Sequence, residues 1–342
     1  MNSEVSAVPT GRSATRMGPA ELMQAAAMAR RFYLEGKSKI QIADEFGVSR
    51  FKVARVLESA VEQELVRIEI RVPAELDAER SDALRSHFGL RHVVVAESPT
   101  EATEDTPDPE HLGEVAAELL EELVAEGDVL GLAWGRSTIH MAAALRHLPP
   151  CTVVQLTGVY DAGAERGSVE AVRRAADVSG GEAHPIYAPM LLSDPGTAAA
   201  LRAQPGIAAA FDYFDRVTIA AVSIGTWETG ISTVHDMLGK EERDHYASLG
   251  VAAEMSAHLF SADGRRIGRD LGERCITVEP ERLRRVPEVV AIAGGRRKAG
   301  AINAVLRSGL VTSLVTDTAA ADLLLATPAP ARPALDRADL DA

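Results

Sequence analysis

Six short apolar runs recur along the chain, at residues 93–96, 129–133, 153–156, 217–224, 289–293 and 310–315. None carries a charge and none alternates regularly with polar residues, so a strand made from any of them is covered on both faces. Between the runs lie stretches of helical periodicity, including 114–125, 138–148, 169–178 and 300–307. Continuous strands separated by amphipathic helices fit a largely parallel sheet with helices on both sides, because parallel neighbours need a crossover connection. The expected fold class for the body of the chain is therefore α/β. Aromatic residues are only 4% of the sequence, so the core must be built from Val, Leu, Ile and Ala.

The N-terminal part follows a different period. In KSKIQIADEFGVSRFKVARVLESA, starting at Lys37, Ser38 is placed to cap a short helix running to Phe46. Gly47 can then reverse the chain in the left-handed conformation and Ser49 can cap the next helix. Ile42, Phe46, Val53, Val56, Leu57 and Val61 recur at spacings that turn them inward, and Ala43 is small where two helices must approach. Arg50, Phe51, Lys52 and Arg55 are left at the leading end and outer face of the second helix. In a helix-turn-helix these positions meet the major groove, where Arg pairs with guanine, Lys holds phosphate and Phe touches a thymine methyl. The same residues also admit a helical hairpin with a solvated basic face. The alternation of VRIEIRV at 66–72 reads as a strand, ended by Pro73, that would add a small wing.

Charge separates the two parts. Residues 28–57 hold seven basic side chains against three acids, a net +4 within a chain of net charge −14. An acidic body with one basic module confines DNA contact to that module. With 342 residues, two domains are expected. The division reads as a disordered arm at 1–19, a DNA-binding domain at 20–72, an effector-binding and oligomerisation domain at 73–326, and a flexible tail at 327–342. The acidic stretch 97–110 is a surface loop within the larger domain, and no internal repeat is found. No run of 18 or more apolar residues and no secretory signal is present, so a cytoplasmic location without membrane contact is expected. Cys151 and Cys275 are far apart and lack metal-type spacing; they read as buried apolar residues, with no metal and no cofactor expected.

Several short motifs then arrive in a set order: IADEFGVSRFKVARVLESA, VLGLAWGRST (129–138), VVQLTG (153–158), AVSIGT (221–226), HLFSADG (258–264), AIAGGRRKAGAI (291–302) and LVTD (314–317). Through them the chain resembles the SorC family of sugar-binding transcriptional regulators over roughly residues 20–326. The resemblance implies a winged helix-turn-helix followed by a Rossmann-like domain, related to phosphosugar isomerases, with an effector cleft at its strand ends. The partners it implies are double-stranded operator DNA, a small sugar, polyol or phosphosugar, and further copies of the chain in a homodimer or homotetramer.

The residues themselves supply a candidate cleft. Gly135, Arg136, Ser137 and Thr138 follow an apolar run and open a helix, where free amides, hydroxyls and a guanidinium suit a phosphate or polyol oxygen. A plain capped turn is the other reading. Gln155, Thr157 and Gly158 end one strand and Gly225 and Thr226 another, facing one crevice. By resemblance, Lys298 reaches the ligand and Glu254 holds sugar hydroxyls; the alternatives are a solvated lysine and a helix-surface carboxylate. Trp134 walls the pocket or lies in the core. Where the family commonly has Asn, this chain has Ser168, which points to an altered ligand preference. The expected function is DNA-binding regulation of a carbohydrate or polyol operon, without enzymatic activity. The competing reading is a sugar-phosphate isomerase-like enzyme using the same cleft, which would need an acid–base pair.

Overall fold

The computed structural model describes residues 18–67, 73–97, 108–160 and 167–330. They fall into two compact units, residues 1–71 and 72–342. Most of the expected arm, most of the wing strand, the centre of the acidic loop and most of the tail lie outside the described residues, and Pro19, expected in the arm, begins the first helix.

The first unit consists of α1 (Pro19–Tyr33), α2 (Lys39–Phe46) and α3 (Arg50–Glu62). Ser38 starts α2 with a reciprocal cap: its hydroxyl accepts from the Gln41 N–H, and the Gln41 side chain accepts from the Ser38 N–H. Gly47 ends α2 at φ 65°, a conformation that a side chain disfavours, and Ser49 caps α3. Met28, Ile42, Val53 and Leu57 form the core, with Phe46, Val48 and Val56 packed at its edge. Val61 departs from the expected inward set, being 41% exposed. Buried Ala60 continues the inward stripe of Val53 and Leu57, and Val61 lies one helical step round from it.

Among the described residues the second unit holds ten strands: β1 (His92–Ala96), β2 (Val129–Leu132), β3 (Thr152–Gln155), β4 (Ala183–His184), β5 (Ile219–Thr226), β6 (Val251–Met255), β7 (His258–Ser261), β8 (Arg266–Ile267), β9 (Glu288–Ile292) and β10 (Ser313–Asp317). Seven form a parallel sheet in the order β1-β10-β9-β5-β2-β3-β4. Alternate residues of the central strands enter opposite layers. Ala220 and Val222 of β5 and Val289 and Ala291 of β9 join one core. Ile219, Ala221, Val290 and Ile292 join the other. Two buried faces explain why the runs are apolar without interruption. Helices α4 (Ala78–Phe88), α5 (Pro109–Leu123), α6 (Arg136–Ala144) and α7 (Ser168–Ser179) belong to this unit, and Leu84 and Phe88 of α4 pack on the first layer while α5, α6 and α7 supply the second.

The chain moves outward from β2 through β3 to β4, then returns to place β5 on the other side of β2. The carboxyl ends of β2 and β5 therefore flank a point where the order reverses, the place at which open α/β sheets form a ligand crevice. β5 is also longer than its neighbours. Residues 219–223 pair with β9, whereas Ile224, Gly225 and Thr226 pair antiparallel with β6. The β6–β7 hairpin is thereby held over the carboxyl edge of the sheet. Apolar runs had not marked β6, β7 or β8, which are short and interrupted by Glu254, His258 and Arg266.

Ile292 is fully buried between sheet and helices. Ile292→Ala is expected to destabilise this unit by about 2–5 kcal/mol, the usual cost of such a cavity. A urea midpoint equal to that of the parent protein would contradict the packing assignment.

Candidate functional site

A cavity of about 320 Å³ opens at the reversal point, lined by several separate segments, among them Gly230 to Thr233. The β2–α6 turn contributes Trp134, Gly135, Arg136 and Ser137, and the ends of β3 and β5 contribute Thr157 and Ser223 to Gly225. The β6–β7 hairpin adds Glu254, Ser256 and Ala257, and the segment after β9 adds Gly294, Arg297 and Lys298. Two glycines make this convergence possible. A Cβ on Gly135 would collide with the Ser223 hydroxyl, and one on Gly294 would collide with the Asp317 carboxylate. Helix α6 has no side-chain cap, so its first-turn N–H groups present the positive end of the helix without a competing side-chain acceptor.

The charges in the wall are few and perturbed. Glu254 is 9% exposed; its Oε1 accepts from the Ala257 N–H at 2.8 Å and its Oε2 from Ser232 Oγ at 3.3 Å. Burial pushes its pKa up to about 7, against the opposing pull of those two bonds and of Lys298. The Lys298 ammonium has no hydrogen bond or ion pair among the described residues; the backbone N–H of Lys298 donates to the Gly295 carbonyl. Burial and the nearby Arg136 charge lower its pKa to about 8, while Glu254 and Asp317 act in the other direction. At the rim, Arg136 donates to the Gly230 carbonyl at 3.1 Å and Arg297 pairs with Glu228 at 2.5 Å. The site thus combines an unpaired ammonium, a helix N-terminus, two rim guanidiniums and one carboxylate poised between charged and neutral.

Of the expected cleft residues, Gly135, Arg136, Ser137, Thr157, Gly225, Glu254 and Lys298 line the cavity. Thr138, Gln155, Gly158 and Thr226 are not part of its lining. Thr138 Oγ1 lies 2.9 Å from Ser223 Oγ, tying α6 to β5. Gln155 is fully buried, donating to the Thr157 carbonyl and Ser168 Oγ and accepting from the Ile186 N–H. Gly158 lies against the backbone at Met190, and Thr226 donates to the Arg297 carbonyl. Ser168 therefore belongs to the Gln155 network rather than to the wall. Glu254 lies on a buried strand, which excludes the helix-surface alternative. Trp134 lines the cavity and also anchors it, with Nε1 donating to Thr233 Oγ1 and the ring meeting Tyr160 edge-on. Sequence reasoning missed Ser223, Thr233, Ser256, Gly294 and Arg297. Ser223 and Arg297 adjoin chosen residues within AVSIGT and AIAGGRRKAGAI, whereas Ser256 and Thr233 had no comparable signal.

In the first unit, Arg50, Phe51, Lys52 and Arg55 are all exposed on α3, and the Arg50 guanidinium lies over the Phe51 ring at 4.9 Å. Ser49 Oγ accepts from the Lys52 N–H. Arg31 and Lys37 are ion-paired with Glu45, and Arg31 also with Glu35. Arg50, Lys52 and Arg55 have no ion pair among the described residues. The basic excess seen in the sequence is thus unpaired on α3.

A parallel α/β unit with a polar cavity at its reversal point defines a class of ligand-binding domains. Residues 72–326 match the family model of the sugar-binding domain, Sugar-bind. The transcriptional regulator YjhU of Escherichia coli strain K12 is 28% identical over 87% of this chain and 93% of its own length. The sorbitol operon regulator of Klebsiella pneumoniae is 26% identical over 87% and 96%. The crystal structure of full-length SorC from K. pneumoniae shares the fold, with a TM-score of 0.68 at 24% identity over 90% of this chain and 99% of that one. The chain belongs to the SorC family of sugar-binding transcriptional regulators.

The displaced Glu254 pKa sets a pH dependence. Between 4.5, the ordinary value, and about 7, the folded protein holds a proton that the unfolded chain has released. Stability from this group is complete below 4.5 and is lost as pH rises through about 7. The whole window is worth roughly 3 kcal/mol. Glu254→Gln is expected to remove that part of the Tm decline between these pH values; an unchanged Tm–pH curve would contradict the buried, protonated carboxyl.

Proposed function

We propose that this chain regulates a carbohydrate or polyol operon by binding operator DNA through α3, with an affinity set by an effector in the cavity. The observation that carries the sensor half is the cavity's polarity: an unpaired Lys298 ammonium and the uncapped α6 N-terminus share a wall system with the Glu254 carboxyl. An anionic or electron-rich oxygen suits the first pair, and hydroxyl groups suit the second. A sugar, polyol or sugar phosphate meets both demands. The names of relatives support the same class, since they include a sorbitol operon regulator and an erythritol catabolism regulatory protein. The isomerase-related, Rossmann-like reading of the domain draws support from the parallel sheet and the position of the cavity.

The DNA half is supported by the capped α2–α3 turn and the unpaired cations of α3. The expected assignment is a helix-turn-helix domain at 20–72 and an effector and oligomerisation domain at 73–326, with Arg50 and Arg55 at base edges and Lys52 at phosphate. Two such units in a homodimer or homotetramer would read an operator with approximate two-fold repeats. An effector acts by binding one arrangement of the assembly better than another.

An isomerase-like enzyme is the second reading, and the observation that favours it is the pair of perturbed groups, Glu254 and Lys298, in one cavity. Purified protein incubated with aldose and ketose phosphates is expected to bind without turnover. Sustained product formation would favour the enzyme.

Two outcomes test the assignment. Arg50→Ala or Arg55→Ala is expected to weaken specific DNA binding at least tenfold and leave ligand-induced thermal shifts intact, roughly the 1–3 kcal/mol of a lost base contact. An unchanged footprint would remove α3 from the interface. Lys298→Ala is expected to abolish the thermal shift given by sugar phosphates while preserving DNA binding; a full shift in this variant would place the ligand elsewhere.

A further inference from the structure

The two-residue turn that joins β6 to β7 is unusual in a way that the sheet does not require. Ser256 and Ala257 have φ values of 51° and 62°. The pair Met255 and His258 closes the hairpin on either side. Positive φ at both central positions is the pattern of a tight hairpin turn that Asn-Gly or Gly-Gly fills at least cost. Here neither residue is glycine. The strained conformation is enforced from outside the turn: Thr277 Oγ1 donates to the Ser256 carbonyl at 2.7 Å, and the Ala257 N–H donates to Glu254.

A second cost falls on the same residue. Ser256 is 5% exposed, and its Oγ is buried with no hydrogen-bond partner among the described residues. Three other hydroxyls of the cavity wall are satisfied. Thr157 Oγ1 accepts from the Trp134 N–H, Thr233 Oγ1 from the indole, and Ser223 Oγ is bonded to Thr138. Ser256 lines the cavity two residues from Glu254, whose Oε2 holds only the long Ser232 contact. Glycine would relieve the backbone strain and alanine would remove the orphaned hydroxyl, so folding alone gives no reason for serine. Because Ser256 lines the cavity, an occupant there is placed to supply the missing partner.

Accepting the cavity as the effector site, we infer that Ser256 is its specificity-determining residue, pairing with one hydroxyl of a polyol or sugar and, with Glu254, discriminating against a ligand that is deoxygenated at that carbon. Both groups can accept and donate: Ser256 through a freely rotating O–H, Glu254 through a carboxyl that is readily protonated. A deoxy carbon would leave the Ser256 hydroxyl without a partner and Glu254 with only its Ala257 and Ser232 bonds, and sites of this kind reject the analogue that lacks the hydroxyl.

The test uses ribose 5-phosphate, glucose 6-phosphate, fructose 6-phosphate and sorbitol 6-phosphate with parent protein, Ser256→Gly and Lys298→Ala. Kd is measured by calorimetry for the sugar giving the largest thermal shift, and for its mono-deoxy analogues. Ser256→Gly is expected to raise the Tm of the ligand-free protein and to weaken the hydroxylated ligand roughly tenfold. For one deoxy analogue, already weakened in the parent protein, the variant and parent affinities should coincide. Loss of binding in Lys298→Ala but full affinity in Ser256→Gly would overturn the Ser256 assignment and keep the cavity. If neither these phosphates nor the corresponding free sugars and sorbitol bind the parent protein, the effector reading fails and the inference with it. If Ser256→Gly weakens every deoxy analogue as much as the full ligand, Ser256 shapes the hairpin rather than reading a hydroxyl.

Discussion

Strand β5 is the element on which the sensor unit turns. Its first residues lie between β2 and β9 at the centre of a parallel sheet, and its last three leave that sheet to pair with β6. The overhang converts an open sheet edge into a walled space, because the β6–β7 hairpin is fixed above strand ends that would otherwise face solvent. The close approach at Gly135 then brings α6 against Ser223 on the same strand. Burial of β5 on both faces makes this scaffold rigid, so the polar groups at its end are presented in fixed positions rather than on a mobile loop.

That fixed geometry explains how charged groups persist in a largely enclosed space. The Glu254 carboxyl keeps two hydrogen bonds and the Lys298 ammonium none among the described residues, yet neither group is driven out to solvent. Their pKa values move towards each other, to about 7 and about 8, and the cost of burying full charges is reduced. A cavity of this kind is costly when empty and gains when an oxygen-rich ligand supplies the missing partners. The same logic applies in the first unit, where Arg31 and Lys37 are used up in internal ion pairs while Arg50, Lys52 and Arg55 have no ion pair among the described residues.

Much of the scaffold was legible in the sequence because its physical causes are local or periodic. Ser38, Gly47 and Ser49 announce helix ends through capping and backbone conformation alone. The runs at 217–224 and 289–293 announce doubly covered strands through composition alone. The hairpin was not legible: Glu254 interrupts β6, β8 has only two residues, and the Ser256–Ala257 turn carries no Asn, Asp or Gly. The site was readable where it lies in chain-adjacent landmarks such as Gly135 to Ser137. It was misread where side chains choose between the cavity and the core. Gln155 ends a strand beside the crevice, yet its amide bridges Thr157, Ser168 and Ile186. Spacing places the backbone of such a residue, but only packing decides which way its side chain turns.

The proposed regulation requires a coupling between the cavity and DNA binding through α3, and coupling free energy is reciprocal. The most direct measurement is a closed thermodynamic cycle on one promoter fragment that the protein binds. DNA affinity is measured by fluorescence anisotropy with and without saturating effector, and effector affinity by calorimetry with and without saturating DNA. The expected result is one factor, different from unity, appearing in both pairs of measurements. An effector that binds in the cavity with the same affinity on and off the DNA would contradict the claim.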